Sequence, residues 1–243
     1  MDVDLSDCVA GGYFLARLSQ RQPWMSSELL PDRILSGCGH ICTFFPDVWA
    51  MNWTAGVPKE RGASASAFGI PESRLPDVVS WANESFGKAF GYPRVLYSQR
   101  DATAALSLLG PPVDSVVLFG LGLPKDLVGE FLNSARRPAP TEGRAPVWGT
   151  GYLECLSRGE PLAGGGSSLG YELLSSAGFG DVNCSWLCNG LEQQLHEKSG
   201  LVPNAHGFID GLDIARDCIA RIYADEVKAE PEYWFPWLIV RYD

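Results

Sequence analysis

The stretch RVLYSQRDATAALSLLGPPVDSVVLFG, residues 94–120, decides the reading of the fold. Arg94 to Tyr97 reads as a strand, and Ser98 with Asp101 forms a capping box for a helix running through Leu109 to a stop at Gly110 and two prolines. Ser115 to Phe119 is then a continuous apolar strand. A strand, a crossover containing a helix and a second buried strand predict a right-handed βαβ unit with parallel strands. A second helix is expected from Pro124, burying Leu127, Val128, Phe131, Leu132 and Ala135, with Arg136 and Arg137 set against the negative end of its dipole. The fold expected is a single α/β (or α+β) domain over residues 1–243, with a mixed sheet, a parallel βαβ core around residues 94–135 and edge strands from both ends of the chain. PAPTEGRAP, within residues 138–146, reads as a surface linker and marks the place for a subdomain boundary.

Toward the N-terminus, Gly12 to Leu18 fits a short helix or strand, and RILSGCGHICTFF, residues 33–45, has the composition of a strand interrupted by Gly37 and Gly39. Val57 to Ile70 lacks periodicity and reads as a loop. From Pro76 a helix is predicted, because Val79, Ala82, Phe86, Ala89 and Phe90 recur at helical spacing before Gly91. Toward the C-terminus, the glycine-rich segment Ala163 to Ser168 reads as a connector into a strand, followed by a helix with Cys184, Leu187, Cys188, Leu191 and Leu195 on one apolar stripe. Gly190 inside that helix suggests close approach of another backbone or a ligand. Asp210 is expected to cap a helix whose buried stripe is Leu212, Ala215, Ile219 and Ile222, with Asp217, Arg221 and Asp225 as opposite charges one turn apart. Leu238 to Tyr242, after Pro236, is expected to be the last strand.

Composition bounds the function. A 46% hydrophobic and 20% charged chain can fold, and a net charge of −10 lacks the basic stripe that a nucleic acid requires. A basic protein partner is compatible with it. The start, MDVDLSDCVAGG, has neither the positive nor the apolar region of a signal peptide, and the longest apolar runs fall far short of the ~20 residues that span a bilayer, so a cytoplasmic protein without a membrane segment is expected. The seven cysteines then read as reduced and mostly buried thiols.

Four groups of residues invite chemistry. Cys38, His40 and Cys42 would share one side of a strand, a thiol beside an imidazole being the minimal kit for a thiolate nucleophile. Same-side neighbours on a strand lie ~7 Å apart, too far for a direct hydrogen bond unless the glycines bend the backbone. Cys184 and Cys188 read as inert core thiols. Because the Cys38 pair and the Cys184 pair are distant in the chain, no four-ligand set is recognisable, and neither metal nor cofactor is expected. Asn189, Glu192 and His196 form a polar row that lacks the HExxH spacing of a zinc protease. FGLGLP, residues 119–124, lies where a strand is expected to pass into a helix and so could hold a phosphate, although Lys125 stands where a third glycine belongs.

The leading expectation is a non-enzymatic cytosolic binding protein, an acidic, immunity-like protein that neutralises a basic partner. Its surface would combine Trp234 and Trp237 as anchors with Asp225, Glu226, Glu230 and Glu232 as a charged rim. The same tryptophans could instead cap the core. The alternative is a small-molecule-binding protein or enzyme that uses the 119–124 turn or the Cys38/His40 region.

Overall fold

Strand β1 (Cys8–Arg17) is buried at every position but Arg17, and the main sheet grows outward from both of its edges. The structure, a computed structural model, describes residues 4–45, 68–91, 94–109, 116–135, 150–178 and 180–243. After β1 come β2 (Ser19–Gln20) and β3 (Arg33–Ile34), which form a small ribbon of their own, and then β4 (Thr43–Phe45), β5 (Phe90–Gly91), β6 (Val95–Leu96), β7 (Val116–Pro124), β8 (Ser167–Ser176) and β9 (Tyr233–Tyr242). The main sheet runs β5-β6-β1-β7-β9-β8, with β4 also on β1, and every pairing is antiparallel.

This overturns the parallel βαβ core expected around residues 94–135. Both β6 and β7 pair antiparallel with β1 and therefore point the same way, but β1 lies between them. The local reading of strand, helix, strand holds; the gap between the two strands is filled by a strand from far away in the chain. CVAGGYFLAR suits that central place because nearly all of it can be buried on both faces. Its two glycines admit neighbours closely: a side chain at Gly11 would meet the Trp237 ring, and Gly12, at φ +143° beside a register shift, would meet Val95.

The helices are α1 (Leu75–Ser85), α2 (Gln99–Leu108), α3 (Val128–Ala135), α4 (Thr150–Arg158), α5 (Leu191–Ser199) and α6 (Leu212–Tyr223). Ser98 caps α2 as expected, its hydroxyl accepting the Asp101 N–H at 3.1 Å and donating to the Asp101 carboxylate at 2.7 Å. In α6 Ala215, Cys218, Ile219 and Ile222 are buried. Arg221 pairs with Asp217 at 2.9 Å and with Glu226, not Asp225, at 2.8 Å. Asp210 does not cap α6; it accepts a hydrogen bond from Asn204 at 2.8 Å. Among the described residues no helix is long and apolar enough to cross a membrane. The linker at residues 138–146, Arg136, Arg137 and most of the 57–70 loop lie outside the described residues.

Opposed residues on paired strands share a face, so the registers of β7, β8 and β9 place Phe119, Leu121, Glu172, Leu174, Phe235, Trp237 and Ile239 together. Over this face lie Phe131 of α3 and Tyr152 of α4, whose rings pack on Trp237 at centroid distances of 5.4 and 6.0 Å. Trp237 is fully buried, and Trp234 keeps 2% exposure. The strand also runs through Pro236, which pairs with Leu173 of β8 beyond the end of the β7 ladder at Leu238. The missing N–H of Pro236 therefore breaks no bond to β7. We expect Trp237→Ala to lower stability by about 3–5 kcal/mol, read as a shift of the urea midpoint, because it empties the junction of sheet, α3 and α4.

Candidate functional site

Glu172 projects from β8 into the 36–42 loop, fully buried and with no cation paired to it among the described residues. One oxygen accepts from the hydroxyls of Ser36 and Ser185, the latter at 2.7 Å, and the other accepts the Gly37 N–H at 2.7 Å. Each serine passes the constraint on: Ser36 Oγ accepts the Cys38 N–H at 3.0 Å, and Ser185 Oγ accepts the Leu187 N–H at 3.2 Å. The carboxylate thus draws together two segments that are remote in sequence, and both carry cysteines.

The first segment is a turn, not the extended strand expected over residues 33–45. The Cys38 carbonyl accepts from the N–H groups of Ile41 and Cys42 at 3.1 and 3.0 Å. Cys38 and His40 consequently lie side by side, with Sγ to Nδ1 at 3.7 Å, while Cys42 swings into the core toward the Ile34 carbonyl at 3.5 Å. Burial pushes the Cys42 thiol up to about 12. The glycines allow the turn to sit where it does: a side chain at Gly37 would meet Leu174 and Leu121, and one at Gly39 would meet the Arg94 guanidinium.

The second segment is a 3-10 turn over Trp186–Asn189, capped by Ser185 and ended by Gly190 at φ +64°. The continuous helix expected from Cys184 to Leu195 is broken there, and α5 starts at Leu191. Gly190 has open space where a side chain would stand, so its role is the left-handed backbone, not the close approach inferred from sequence.

The two segments meet at their thiols. Cys38 Sγ lies 3.4 Å from Cys188 Sγ, and Cys184 Sγ lies 3.8 Å from His40 Nδ1. The ligand atoms of Cys38, His40 and Cys188 all lie within 4.8 Å of one another. Cys38 is held down to about 4 by the Cys188 thiol, which donates to it, and then by His40, against the opposing effect of burial. His40 is raised to about 9, chiefly by its contact with the Cys38 sulfur. Cys184 is lowered, again first by Cys188, and Cys188, as donor to both, is raised. The cluster therefore favours a thiolate at Cys38 beside the exposed His40 ring.

The expectation of no metal rested on the absence of any sign that the two cysteine pairs meet; Cys38 of the first pair does meet the second, while Cys42 does not. The other candidate residues are dispersed. Asn189 is exposed, Glu192 is buried and accepts the Ser26 N–H at 3.1 Å, and His196 contacts the Leu201 carbonyl at 2.9 Å, so the three do not converge. FGLGLP is the end of β7 and not a strand-to-helix loop; Gly120 and Gly122 make room for Leu162. Asp225, Glu226 and Glu230 are exposed, whereas Glu232 accepts from Ser175 and, at 2.7 Å, from Asn183. With Trp234 and Trp237 buried, the aromatic anchors expected beside these carboxylates are core residues. Comparison of the chain with known protein families, curated proteins and solved structures gives no match.

Burial raises the Glu172 carboxyl to about 7, outweighing its three hydrogen-bond donors. A carboxyl that binds its proton more tightly when folded adds stability that is complete below the ordinary value of 4.5 and lost as pH rises through about 7. Glu172→Gln should therefore flatten the decline of stability between these pH values, measured by urea unfolding at a series of pH. An unchanged slope would place the proton elsewhere.

Proposed function

We propose that this protein is a metal-thiolate protein in which Cys38, His40, Cys184 and Cys188 hold one zinc ion. The observation that carries this reading is the mutual spacing of the ligand atoms of Cys38, His40 and Cys188, with Cys184 beside His40 as the fourth donor. Bonds of zinc to sulfur and nitrogen set tetrahedral edges of about 3.8 Å between sulfurs and about 3.5 Å between sulfur and nitrogen. The contacts of 3.4, 3.7 and 3.8 Å match these edges, Cys188 is within reach of His40, and Cys184 shares a hydrogen bond with Cys188. Soft thiolates with one imidazole select zinc over magnesium or calcium. Four protein ligands leave no open position, so the ion's work is structural: it fastens segments that lie 150 residues apart at Cys38 and Cys188. All seven cysteines are free, which fits a reducing compartment such as the cytoplasm.

The short Cys38 to Cys188 contact also favours a second reading, a dithiol that gives two electrons and two protons to a peroxide and closes as a disulfide. The acidic binding protein expected from composition keeps its exposed carboxylates but has lost its aromatic anchors, and it ranks below both.

Elemental analysis of protein purified without chelator separates the two thiol readings. We expect about one zinc per chain, lost in Cys38→Ser and in Cys188→Ser, and a lower melting temperature once the ion is removed by chelator. Metal-free protein whose mass falls by about two hydrogens on peroxide treatment would replace the metal by the disulfide.

A further inference from the structure

We infer that Arg94, whose guanidinium lies against Gly39 beside the cysteines, anchors a binding site for a small oxyanion, a carboxylate or phosphate group. The inference does not depend on the metal.

Arg94 keeps only 9% exposure, its Nε is sealed from solvent without a partner, and no hydrogen bond or ion pair is formed by its guanidinium among the described residues. The guanidinium carbon lies 4.4 Å from the centre of the Phe44 ring. On its other side is the space that a side chain at Gly39 would need, so the guanidinium lies against the backbone between Cys38 and His40. A cation this deeply placed is normally paired, because taking it out of water costs several kcal/mol.

The neighbours of Arg94 are orphaned in the same sense. Tyr152 is fully buried with its hydroxyl unpartnered, and Arg94 is near enough to act on it electrostatically. The Trp237 ring packs 6.0 Å from Tyr152, and its Nε1 is likewise buried and unpartnered. The Arg94 Nε and the Tyr152 hydroxyl are thus buried donors without a hydrogen-bonded acceptor. What completes such a set is a ligand rich in acceptors that carries negative charge, and the planar fork of a guanidinium matches two oxygens of a carboxylate or phosphate. The acceptor nearby is Asp181, whose Oδ1 is also unpartnered. Burial raises its pKa, and Arg94 works against that rise.

A purely structural Arg94, a strut between Phe44 and Gly39, makes the opposite prediction on replacement. An unpaired buried cation kept for a ligand destabilises the ligand-free fold, so an apolar residue of similar length should improve it. The experiment measures melting temperature with inorganic phosphate and, separately, oxalate against chloride at constant ionic strength, for the native chain, Arg94→Met and Arg94→Lys. We expect one of the two oxyanions to raise the melting temperature of the native chain by several degrees, and the identity of that ion assigns the phosphate or the carboxylate class. Arg94→Met should melt about 2–4 °C higher than the native chain without ligand and show no response to either ion. Arg94→Lys, which keeps the charge and loses the fork, should respond at least tenfold more weakly in ion concentration. If neither ion stabilises the native chain, or the response survives in Arg94→Met, there is no oxyanion site at Arg94. If Arg94→Met fails to fold, the Lys variant decides: an undiminished response overturns the inference.

Discussion

The buried carboxylate of Glu172 is the constraint on which the polar half of this protein depends. Removing a carboxylate from water costs several kcal/mol, and a hydrogen bond to a charged group returns roughly 1.5–3 kcal/mol, so three donors come close to balance without creating a surplus. That near balance is why its pKa sits near 7 while the geometry remains tight. The return is positional. Two serines relay the carboxylate to the backbone at Cys38 and at Leu187, so the two cysteine turns are fixed relative to β8 and therefore to each other. Without that anchor, nothing local to either turn would specify that Cys38 should face Cys188.

How much of the fold was legible follows from how far each signal reaches. The cap of α2 is a contact between Ser98 and Asp101, three residues apart, and it could be read from the two letters alone. The stripe of α6 is equally local. Strand order is different in kind, since it depends on which buried strand fills which edge, and the apolar pattern of β7 states only that both of its faces are covered. The insertion of β1 between β6 and β7 leaves no mark in residues 94–120. Gly190 shows a subtler failure. The apolar stripe from Cys184 to Leu195 is real, with Leu187, Leu191 and Leu195 all buried, but a 3-10 turn followed by a helix carries it as well as one helix would.

The site was half legible for a related reason. Cys38 with His40 and Cys184 with Cys188 are both visible as short-range pairs, but a strand would hold the first pair ~7 Å apart and the apolar stripe makes the second read as core. Distance along the chain is no argument against a shared centre when a sheet brings its strand ends together. The signal that could have joined them was Ser-Gly-Cys-Gly-His at residues 36–40, where glycines on both sides of a cysteine favour a turn over a strand. Read as a turn, the segment puts thiol and imidazole in contact. Glu172 offered no such hint, since one acidic residue in a strand of alternating pattern looks like a solvent-facing position until the register shows it opposite Trp237.

The cysteine cluster and the Arg94 guanidinium share one neighbour, Gly39. A Cβ at this position would stand 2.6 Å from Arg94 Nη1, so the backbone that carries Cys38 on one side and His40 on the other is also the floor on which the guanidinium rests. Any group that draws the guanidinium away from Gly39 changes what holds that backbone down, and any ion that fixes Cys38 and His40 fixes the floor beneath Arg94. Coupling between two bound species is reciprocal: to whatever extent the proposed metal would alter affinity for an oxyanion at Arg94, the oxyanion would alter affinity for the metal by the same factor. The three atoms nearest to such a Cβ all belong to the Arg94 guanidinium, so a side chain at Gly39 would press on the arginine, even though the chemistry lies with its two neighbours.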